Sequence, residues 1–170
     1  MLAPALLPWL CFFAGVVRWD KQQYQDHSAL SGASIMSLQF HPVAREVVAC
    51  HHITIRGRGT QPMLFAHGFG CDQNMWRFVA PAFEDDYRIV LFDHVGSGKS
   101  DLSAYSRAKY GQLDGYADDV LRICRELGLH DVIFVGHSVS AMIGMLAAIR
   151  EPQRFAKLIL VGPSPCYIND

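Results

Sequence analysis

The residues from Gly136 to Ser140 (G-H-S-V-S) could carry nucleophilic chemistry. They follow the β-prone apolar run 132–135 and lead without a loop into a helix-compatible run, 141–149. A strand that becomes a helix within about three residues must turn sharply, and the corner residue, Ser138, is then strained, with its hydroxyl exposed. The pattern is the nucleophile elbow G-x-S-x-G, except that Ser replaces the second Gly. The sequence therefore predicts Ser138 as a nucleophile.

Two backbone amides could serve this nucleophile. The N–H of Val139, at the N-terminus of the following helix, would point toward the group that Ser138 attacks. A Gly-rich turn, 67–70, directly follows a short apolar strand, 63–66. The N–H of Phe69 in this turn would complete an oxyanion hole. The alternatives are a serine that only caps the next helix and an ordinary Gly-rich turn.

A third polar stretch, Gly96 to Ser100 (G-S-G-K-S), follows another apolar strand, 87–93. It is similar to a phosphate-binding P-loop, which requires G-x-x-x-x-G-K-[ST]. Asp93 stands where the first glycine of that motif belongs. Because a carboxylate there would repel phosphate, we reject the nucleotide site. We predict a structural turn whose backbone is hydrogen-bonded by Asp93 and Ser100.

A serine hydrolase of this design also needs an acid and a base, in the chain order Ser, Asp or Glu, His. After Ser138 the only acidic residues are Glu151 and Asp170, and no histidine follows. Three histidines lie near the predicted site but in the wrong order or on the wrong side of the turn: His67, His94 and His137. The triad acid and base are therefore predicted to be absent from these 170 residues.

The elements that position these turns alternate between strands and helices. Predicted strands lie within 46–56, 63–66, 87–93, 132–135 and 156–161, and predicted helices run from Asp72 through Ala80, over 114–127 and over 141–149. Such alternation, with strands that are apolar on both faces, predicts an α/β fold with a mostly parallel sheet covered by helices on each side. Ligands bind beyond the carboxyl ends of the strands in such sheets. All three special turns follow strand ends at that edge.

Composition excludes several other classes. The net charge is −1 without a basic block, so no nucleic-acid partner is expected. The five cysteines are scattered, without a C-x-x-C pair, which predicts reduced thiols in a cytoplasmic protein and neither a zinc site nor another cofactor. The adjacent pair His51-His52 would point to opposite faces of a strand and would not converge on one metal ion.

Residues 1–35 differ from the rest. The run 2–17 is almost wholly apolar but too short for a membrane-spanning helix, which needs about 20 residues. It also lacks the basic start and cleavage site of a signal peptide. We predict a poorly ordered extension over 1–35, not a membrane segment, although a weak anchor remains an alternative. Residues 36–170 form the domain.

The chain resembles the α/β-hydrolases of the RsbQ group, which contains a bacterial sigma-B stress-pathway regulator and plant karrikin and strigolactone receptors. The resemblance runs from about His52 to Asp170. It is carried by H-G-F-G-C-D-Q (67–73), F-D-H-V-G-S-G (92–98), L-D-G-Y (113–116), G-H-S-V-S-A-M-I-G (136–144) and G-P-S-P-C-Y-I-N-D (162–170). Ser140 in the elbow is a variant seen in this group.

The resemblance implies that Ser138 is the nucleophile and that Phe69 and Val139 supply oxyanion amides. It also implies that Phe69, His67 and His137 line a pocket for a small hydrophobic ester, lactone or butenolide-like molecule. In the family a four-helix cap, and later the triad Asp and His, follow the last strand present here. The chain therefore resembles the N-terminal half of such a hydrolase, and an unpaired sheet edge is expected at 156–161.

Three functions remain open. The first is a serine hydrolase of the carboxylic-ester type that is incomplete in this chain. The second is a ligand-sensing regulator acting through a protein partner, which for RsbQ-like proteins is a PAS-domain signalling protein. The third is a non-catalytic remnant. The first two use the same site, so the sequence separates them poorly.

Overall fold

A computed structural model of the chain describes residues 16–20, for their backbone, and residues 42–163 in full. Six strands form one sheet in the order β1-β6-β5-β3-β4-β2. The strands are β1 (Val16–Asp20), β2 (Thr54–Arg56), β3 (Pro62–Ala66), β4 (Arg88–Leu91), β5 (Val132–His137) and β6 (Phe155–Val161). The helices are α1 (Pro42–Cys50), α2 (Arg107–Tyr110), α3 (Leu113–Glu126) and α4 (Val139–Arg150). Short 3₁₀ turns span Gln73–Trp76, Ala80–Phe83, Leu102–Ala104 and Pro152–Arg154.

The four central strands, β3 to β6, are parallel, as predicted, and both outer strands are antiparallel to their neighbours. The register pairs Ala66 at the end of β3 with Gly136 near the end of β5. Strand β3 is buried along its whole length. This register brings the turn after β3 beside the elbow after β5, at the edge where parallel sheets place their ligands.

Alternate residues of β3 feed two hydrophobic clusters, one on each face of the sheet. Leu64 and Ala66 join the larger cluster, which is formed with α1, α3 and α4. Met63 and Phe65 join a smaller cluster on the other face, closed by Trp76 and its neighbours in the 3₁₀ turns. Helices thus cover one face, and short turns cover the other within the described part of the chain.

Helix α4 crosses very close to β5, and two glycines permit this. A side chain at Gly144 would overlap the ring of Phe134, and one at Gly136 would overlap the carbonyl oxygen of Ser140. Glycine is therefore required at both positions, 136 and 144.

The prediction of a strand throughout 46–56 is wrong for its first part. Helix α1 extends to Cys50, and strand β2 begins only at Thr54. Ala44 and Val47, three residues apart, are both buried and place one helical face against the core. Packing of that face outweighs the β propensity of the valines, which is a weak local preference.

The predicted helix after Asp72 is much shorter than expected. Asp72 does cap it, since its carboxylate accepts a hydrogen bond from the N–H of Asn74 at 2.8 Å. The element is a 3₁₀ turn that ends at Trp76, and a second turn begins at Ala80. Pro81 lacks an N–H and disfavours a helical conformation in the residue before it, so one continuous helix cannot form.

The expectation of an unpaired edge at 156–161 is also wrong. Strand β1 pairs antiparallel with β6 from Val16 opposite Val161 to Asp20 opposite Lys157. A segment of the predicted extension thus covers the exposed side of β6. The boundary at residue 36 stays a prediction, and the rest of 1–35 lies outside the described residues, as do 164–170 of the family motif. No helix within the described ranges is long and apolar enough to cross a membrane.

Candidate active site

Ser138 stands at the corner between β5 and α4 with φ 54° and ψ −120°. A positive φ is rare for a residue with a side chain and costs about 1–3 kcal/mol, so the surrounding structure must hold it in place. The Ser138 N–H donates to the carbonyl of Val161 at 2.8 Å, which ties the corner to β6. Its side chain makes no capping hydrogen bond to α4. The capping alternative is therefore excluded.

The turn after β3 packs directly against this corner. A side chain added to Gly68 would come within 2.5 Å of His137 Nδ1 and 3.3 Å of the Ser138 Cβ. Only glycine fits this contact. Within residues 42–163 we find no hydrogen-bond acceptor for the N–H of Phe69 or of Val139. Both amides are thus available to a ligand beside Ser138.

A cavity of about 320 Å³ lies beside the elbow. Three of the predicted residues, His67, Phe69 and Val139, are on its wall. The Phe69 side chain is 94% exposed and stands at its mouth. Neither Ser138 nor His137 belongs to the lining of this cavity, so His137 as a pocket residue stays a prediction.

Three tyrosines that the sequence analysis did not assign to the pocket form one wall of this cavity. Tyr105 stacks on Tyr110 with ring centroids 5.5 Å apart, and Tyr110 contacts Tyr116 at 4.9 Å. From the sequence, Tyr116 is only a member of the predicted helix 114–127 and of the L-D-G-Y motif. The spacing of 110 and 116 gave no signal of a shared wall, because the two residues lie on different helices joined by a turn.

A buried carboxylate holds the central tyrosine. The hydroxyl of Tyr110 donates to Asp119 Oδ2 at 2.8 Å, and Lys109 pairs with Asp119 Oδ1 at 2.5 Å. Burial, together with this hydrogen bond to an anion, raises the pKa of Tyr110 above its usual range. The hydrogen bond to Asp119 thus holds the hydroxyl of Tyr110 in place.

Two of the histidines at the sheet edge are buried and hydrogen-bonded to the backbone or to each other. The backbone N–H of His94 donates to His67 Nε2 at 3.1 Å, and the ring atom His94 Nε2 lies 2.7 Å from Ser140 Oγ. Burial, with the neighbouring His67, lowers the pKa of His94 well below its usual value. A neutral ring that is already hydrogen-bonded is a poor general base, so His94 does not replace the missing triad histidine.

The structural turn predicted at 96–100 is confirmed. Asp93 accepts hydrogen bonds from the N–H of Gln73 at 2.8 Å and from the N–H of Lys99 at 2.9 Å. The hydroxyl of Ser100 donates to the carbonyl of Ser97 at 2.6 Å. The carboxylate occupies the space that a phosphate would need.

No group of three or more His, Cys, Asp or Glu side chains converges on a metal-binding position among the residues that the structure describes. The pair His51-His52 follows α1 in a turn, not in the strand assumed from the sequence. His51 is buried, and burial lowers its pKa, whereas His52 contacts Asp93 Oδ2 at 3.3 Å.

Comparison with known proteins identifies the family. Residues 61–170 match the alpha/beta hydrolase fold family. The chain is 44% identical over 124 residues to the Karrikin insensitive 2 receptor CA of Petunia hybrida, covering 73% of this chain and 46% of that protein. It is 44% identical over 119 residues to Strigolactone esterase D14 of Arabidopsis thaliana, covering 70% and 45%.

The solved structures agree. A hydrolase from Oleispira antarctica superposes with a TM-score of 0.72 at 44% identity, over 74% of this chain and 46% of that one. The chain spans about half the length of the curated relatives it matches. The family match covers residues 61–170, which include the strand-to-helix turn at Ser138 and four strands of the parallel sheet. The chain belongs to the α/β-hydrolase family.

Proposed function

We propose that Ser138 is the nucleophile of a serine hydrolase of the carboxylic-ester type, and that its triad acid and base are not among these 170 residues. The observation that carries the proposal is the conformation of Ser138. Its backbone has a strained positive φ while its side chain makes no capping bond. Strain at a polar residue that has no structural task is typical of functional sites.

The proposed reaction follows from the groups around Ser138. Its hydroxyl oxygen attacks the ester or lactone carbonyl, and its proton passes to a histidine base, which the family order places later in the chain. Charge develops on the carbonyl oxygen, where the N–H groups of Phe69 and Val139 stabilise it. Each such donor contributes about 3 kcal/mol to the transition state. The leaving alcohol takes the proton, and water then releases the acyl group from Ser138.

The cavity supports a small hydrophobic substrate. Its volume of about 320 Å³ is at the lower end of the range for small-molecule pockets. Its tyrosine wall offers flat apolar surface, which favours an unsaturated ring such as a lactone or butenolide. We propose that His67, which lines the cavity, and His137 both contact the substrate. A cytoplasmic location is part of the same proposal, since the three described cysteines are free thiols.

A ligand-sensing regulator is the second candidate. Its support is that the chain is similar both to a protein named Karrikin insensitive 2 receptor CA and to one named Strigolactone esterase D14. In this function slow turnover at Ser138 would alter a surface that binds a partner, with a PAS-domain signalling protein as the expected type. A non-catalytic remnant is the third candidate.

Labelling with a fluorophosphonate probe tests the nucleophile. The 170-residue chain should label at Ser138, identified by peptide mass spectrometry, and Ser138→Ala should not label. Ser103→Ala is the matched control, because Ser103 is an exposed serine whose hydroxyl only contacts Asp101. Equal labelling of Ser138→Ala, or no labelling after long incubation, would contradict the proposal.

The labelling rate tests the missing base. Without a histidine to accept the proton, the chain should label at least a hundredfold more slowly than a full-length relative, the lower end of a base's contribution. A comparable rate would show that the base is present after all. The downstream coding sequence separates the remaining alternatives. An in-frame cap, Asp and His would support the hydrolase, and their absence would support the remnant.

A further inference from the structure

Three strand ends are joined by one buried group of hydrogen bonds. His67 follows β3, His94 follows β4, and Ser140 lies in the first turn of α4. All three residues are at most 5% exposed. The hydroxyl of Ser140 donates a short hydrogen bond to the carbonyl of His67, and its oxygen lies 2.7 Å from His94 Nε2. The elbow is thus linked to both neighbouring turns through a residue that is usually glycine in this motif.

The contacts allow only one arrangement of protons. Since Ser140 donates its hydroxyl hydrogen to a carbonyl, His94 Nε2 must carry the hydrogen that it shares with Ser140 Oγ. The backbone N–H of His94 points at His67 Nε2, so that ring nitrogen must be the bare acceptor. His67 Nδ1 then carries a hydrogen, which it donates to the carbonyl of Gly68 at 2.9 Å.

The unpartnered atoms agree with this arrangement. His94 Nδ1 is buried and has no hydrogen-bond partner within the described ranges. An unpartnered lone pair on a neutral ring costs less than an unpartnered N–H⁺ would. The rings of His67, Phe92 and Tyr116 pack around His94 with centroids 4.8, 4.9 and 5.5 Å away.

The Gly68 carbonyl, which accepts from His67 Nδ1, links these hydrogen bonds to the predicted oxyanion donor Phe69. The carbonyl of Gly68, which also accepts from the backbone N–H of Cys71 at 3.2 Å, belongs to the same planar peptide unit as the N–H of Phe69. Bonds that fix the carbonyl therefore also fix the direction of the N–H. A hydrogen bond to the carbonyl also polarises the unit and strengthens its N–H as a donor. In the same way, the hydrogen bond from the Ser140 hydroxyl to the His67 carbonyl fixes the peptide unit between His67 and Gly68.

We propose that Ser140 and His94 are positioning residues that, through His67, orient the Phe69 peptide as an oxyanion donor. The proposal rests on the proposed function for the role of Phe69, but the orientation itself can be measured without any activity. A glycine at position 140 could not make these bonds. The serine variant of the elbow therefore does more than fill space: it connects the nucleophile's helix to the oxyanion turn.

Long-range ¹H–¹⁵N NMR of the whole chain tests the arrangement of protons. His94 should be the Nε2–H tautomer and His67 the Nδ1–H tautomer. The opposite tautomer at either ring would overturn the proposal. In Ser140→Ala, His94 loses its acceptor and should become a mixture of tautomers, whereas Ser140→Thr retains a hydroxyl and should preserve the single tautomer.

Relaxation of the Phe69 N–H tests the orientation. Its order parameter should be near 0.85 in the native chain and in Ser140→Thr, the values of a rigid backbone, and should fall below about 0.6 in Ser140→Ala. Ser100→Ala, which removes a buried hydroxyl from the neighbouring turn, is the matched control and should leave the Phe69 value unchanged. An unchanged Phe69 value in Ser140→Ala would overturn the proposal. If Ser140→Ala does not fold, His94→Phe, which removes the ring N–H that bonds to Ser140, should lower the Phe69 value in the same way.

Fluorophosphonate labelling connects this orientation to chemistry. Ser140→Ala should lower the maximal labelling rate at Ser138 about tenfold, less than the hundredfold or more for complete loss of a donor, with the probe's half-saturating concentration unchanged. Ser140→Thr should restore the rate. If the native chain does not label, the proposed function fails, while the NMR results still decide the positioning role. If labelling persists unchanged in Ser140→Ala, the positioning role in catalysis is wrong.

Discussion

Two turns at the same edge of the sheet use similar residues in opposite ways. The turn after β4 uses its polar groups internally: Asp93 accepts two backbone hydrogen bonds, and Ser100 bonds to Ser97. The elbow after β5 places Ser138 in a strained conformation and gives its side chain no capping bond. In the turn after β4 the polar side chains of Asp93 and Ser100 are used for structural hydrogen bonds. In the elbow the Ser138 hydroxyl makes no capping bond, and its strained backbone lowers stability.

This difference shows how a structural turn can be separated from a functional one. Both are rich in Gly and Ser, and both follow buried strands. What separates them is whether the polar side chains have local partners. Because most polar groups in a folded protein have hydrogen-bond partners, a half-buried hydroxyl with no capping bond on a strained backbone is typical of a functional site. The comparison predicts opposite effects of substitution in the two turns.

The largest effect is expected at Asp93. Replacing it with Ala leaves the N–H groups of Gln73 and Lys99 without their acceptor and should lower the free energy of unfolding by about 3 kcal/mol. Asp93→Asn retains one carbonyl oxygen and should lose about half as much. Urea unfolding measures both variants. An Asp93→Ala variant as stable as the native chain would remove the contrast between the turns.

Ser138 should show the opposite sign. Glycine adopts φ 54° without strain, so Ser138→Gly should raise the free energy of unfolding by about 2 kcal/mol while abolishing labelling. Ser138→Ala keeps the strain and should leave stability nearly unchanged. The difference in the free energy of unfolding between these two variants, measured with urea, gives the cost of the strained backbone at position 138. A Gly variant no more stable than the Ala variant would show that the corner is not strained.

The pH dependence of stability tests the histidine that joins the two turns. His94 has a pKa well below 6.5 when folded, so below pH 6.5 the unfolded chain binds a proton that the folded chain does not. Stability should therefore fall as the pH falls from 6.5, by up to about 1.4 kcal/mol per pH unit from this residue. His51, with its pKa also lowered by burial, adds to the slope.

His94→Gln is the matched variant for this titration. It should reduce the slope between pH 6.5 and 5 in urea unfolding, leaving the smaller part from His51. An unchanged slope in His94→Gln would mean that His94 is accessible to protons in the folded protein.

The smallest effect is expected at Ser100. Its hydroxyl makes one short bond to the Ser97 carbonyl inside the structural turn. Ser100→Ala should lower the free energy of unfolding by about 1 kcal/mol, the typical value for a hydrogen bond, with no effect on labelling of Ser138. A loss of labelling in this variant would indicate that the two turns are coupled more tightly than the separate hydrogen-bond groups suggest.

The sequence predicted the alternation of strands and helices, the sharp strand-to-helix turn at Ser138, the Gly-rich turn after β3 and the structural role of Asp93. These succeed because short apolar strands and Gly-rich turns carry local signals. It misassigned 46–50 and the helix after Asp72, where burial of one helical face and Pro81 outweigh the average pattern. It also expected an open edge on β6, because pairing with Val16–Asp20 depends on a contact about 140 residues away in the chain.

What the sequence determined by itself is the identity of the elbow and of the family, since both are written in consecutive residues. What only the tertiary structure decided is how the elbow is supported. Ser140, His94 and His67 are separated by 27 to 73 residues and meet only because parallel strands end at one edge. Hydrogen bonds depend on distances of about 3 Å and on direction, which spacing along a chain does not specify.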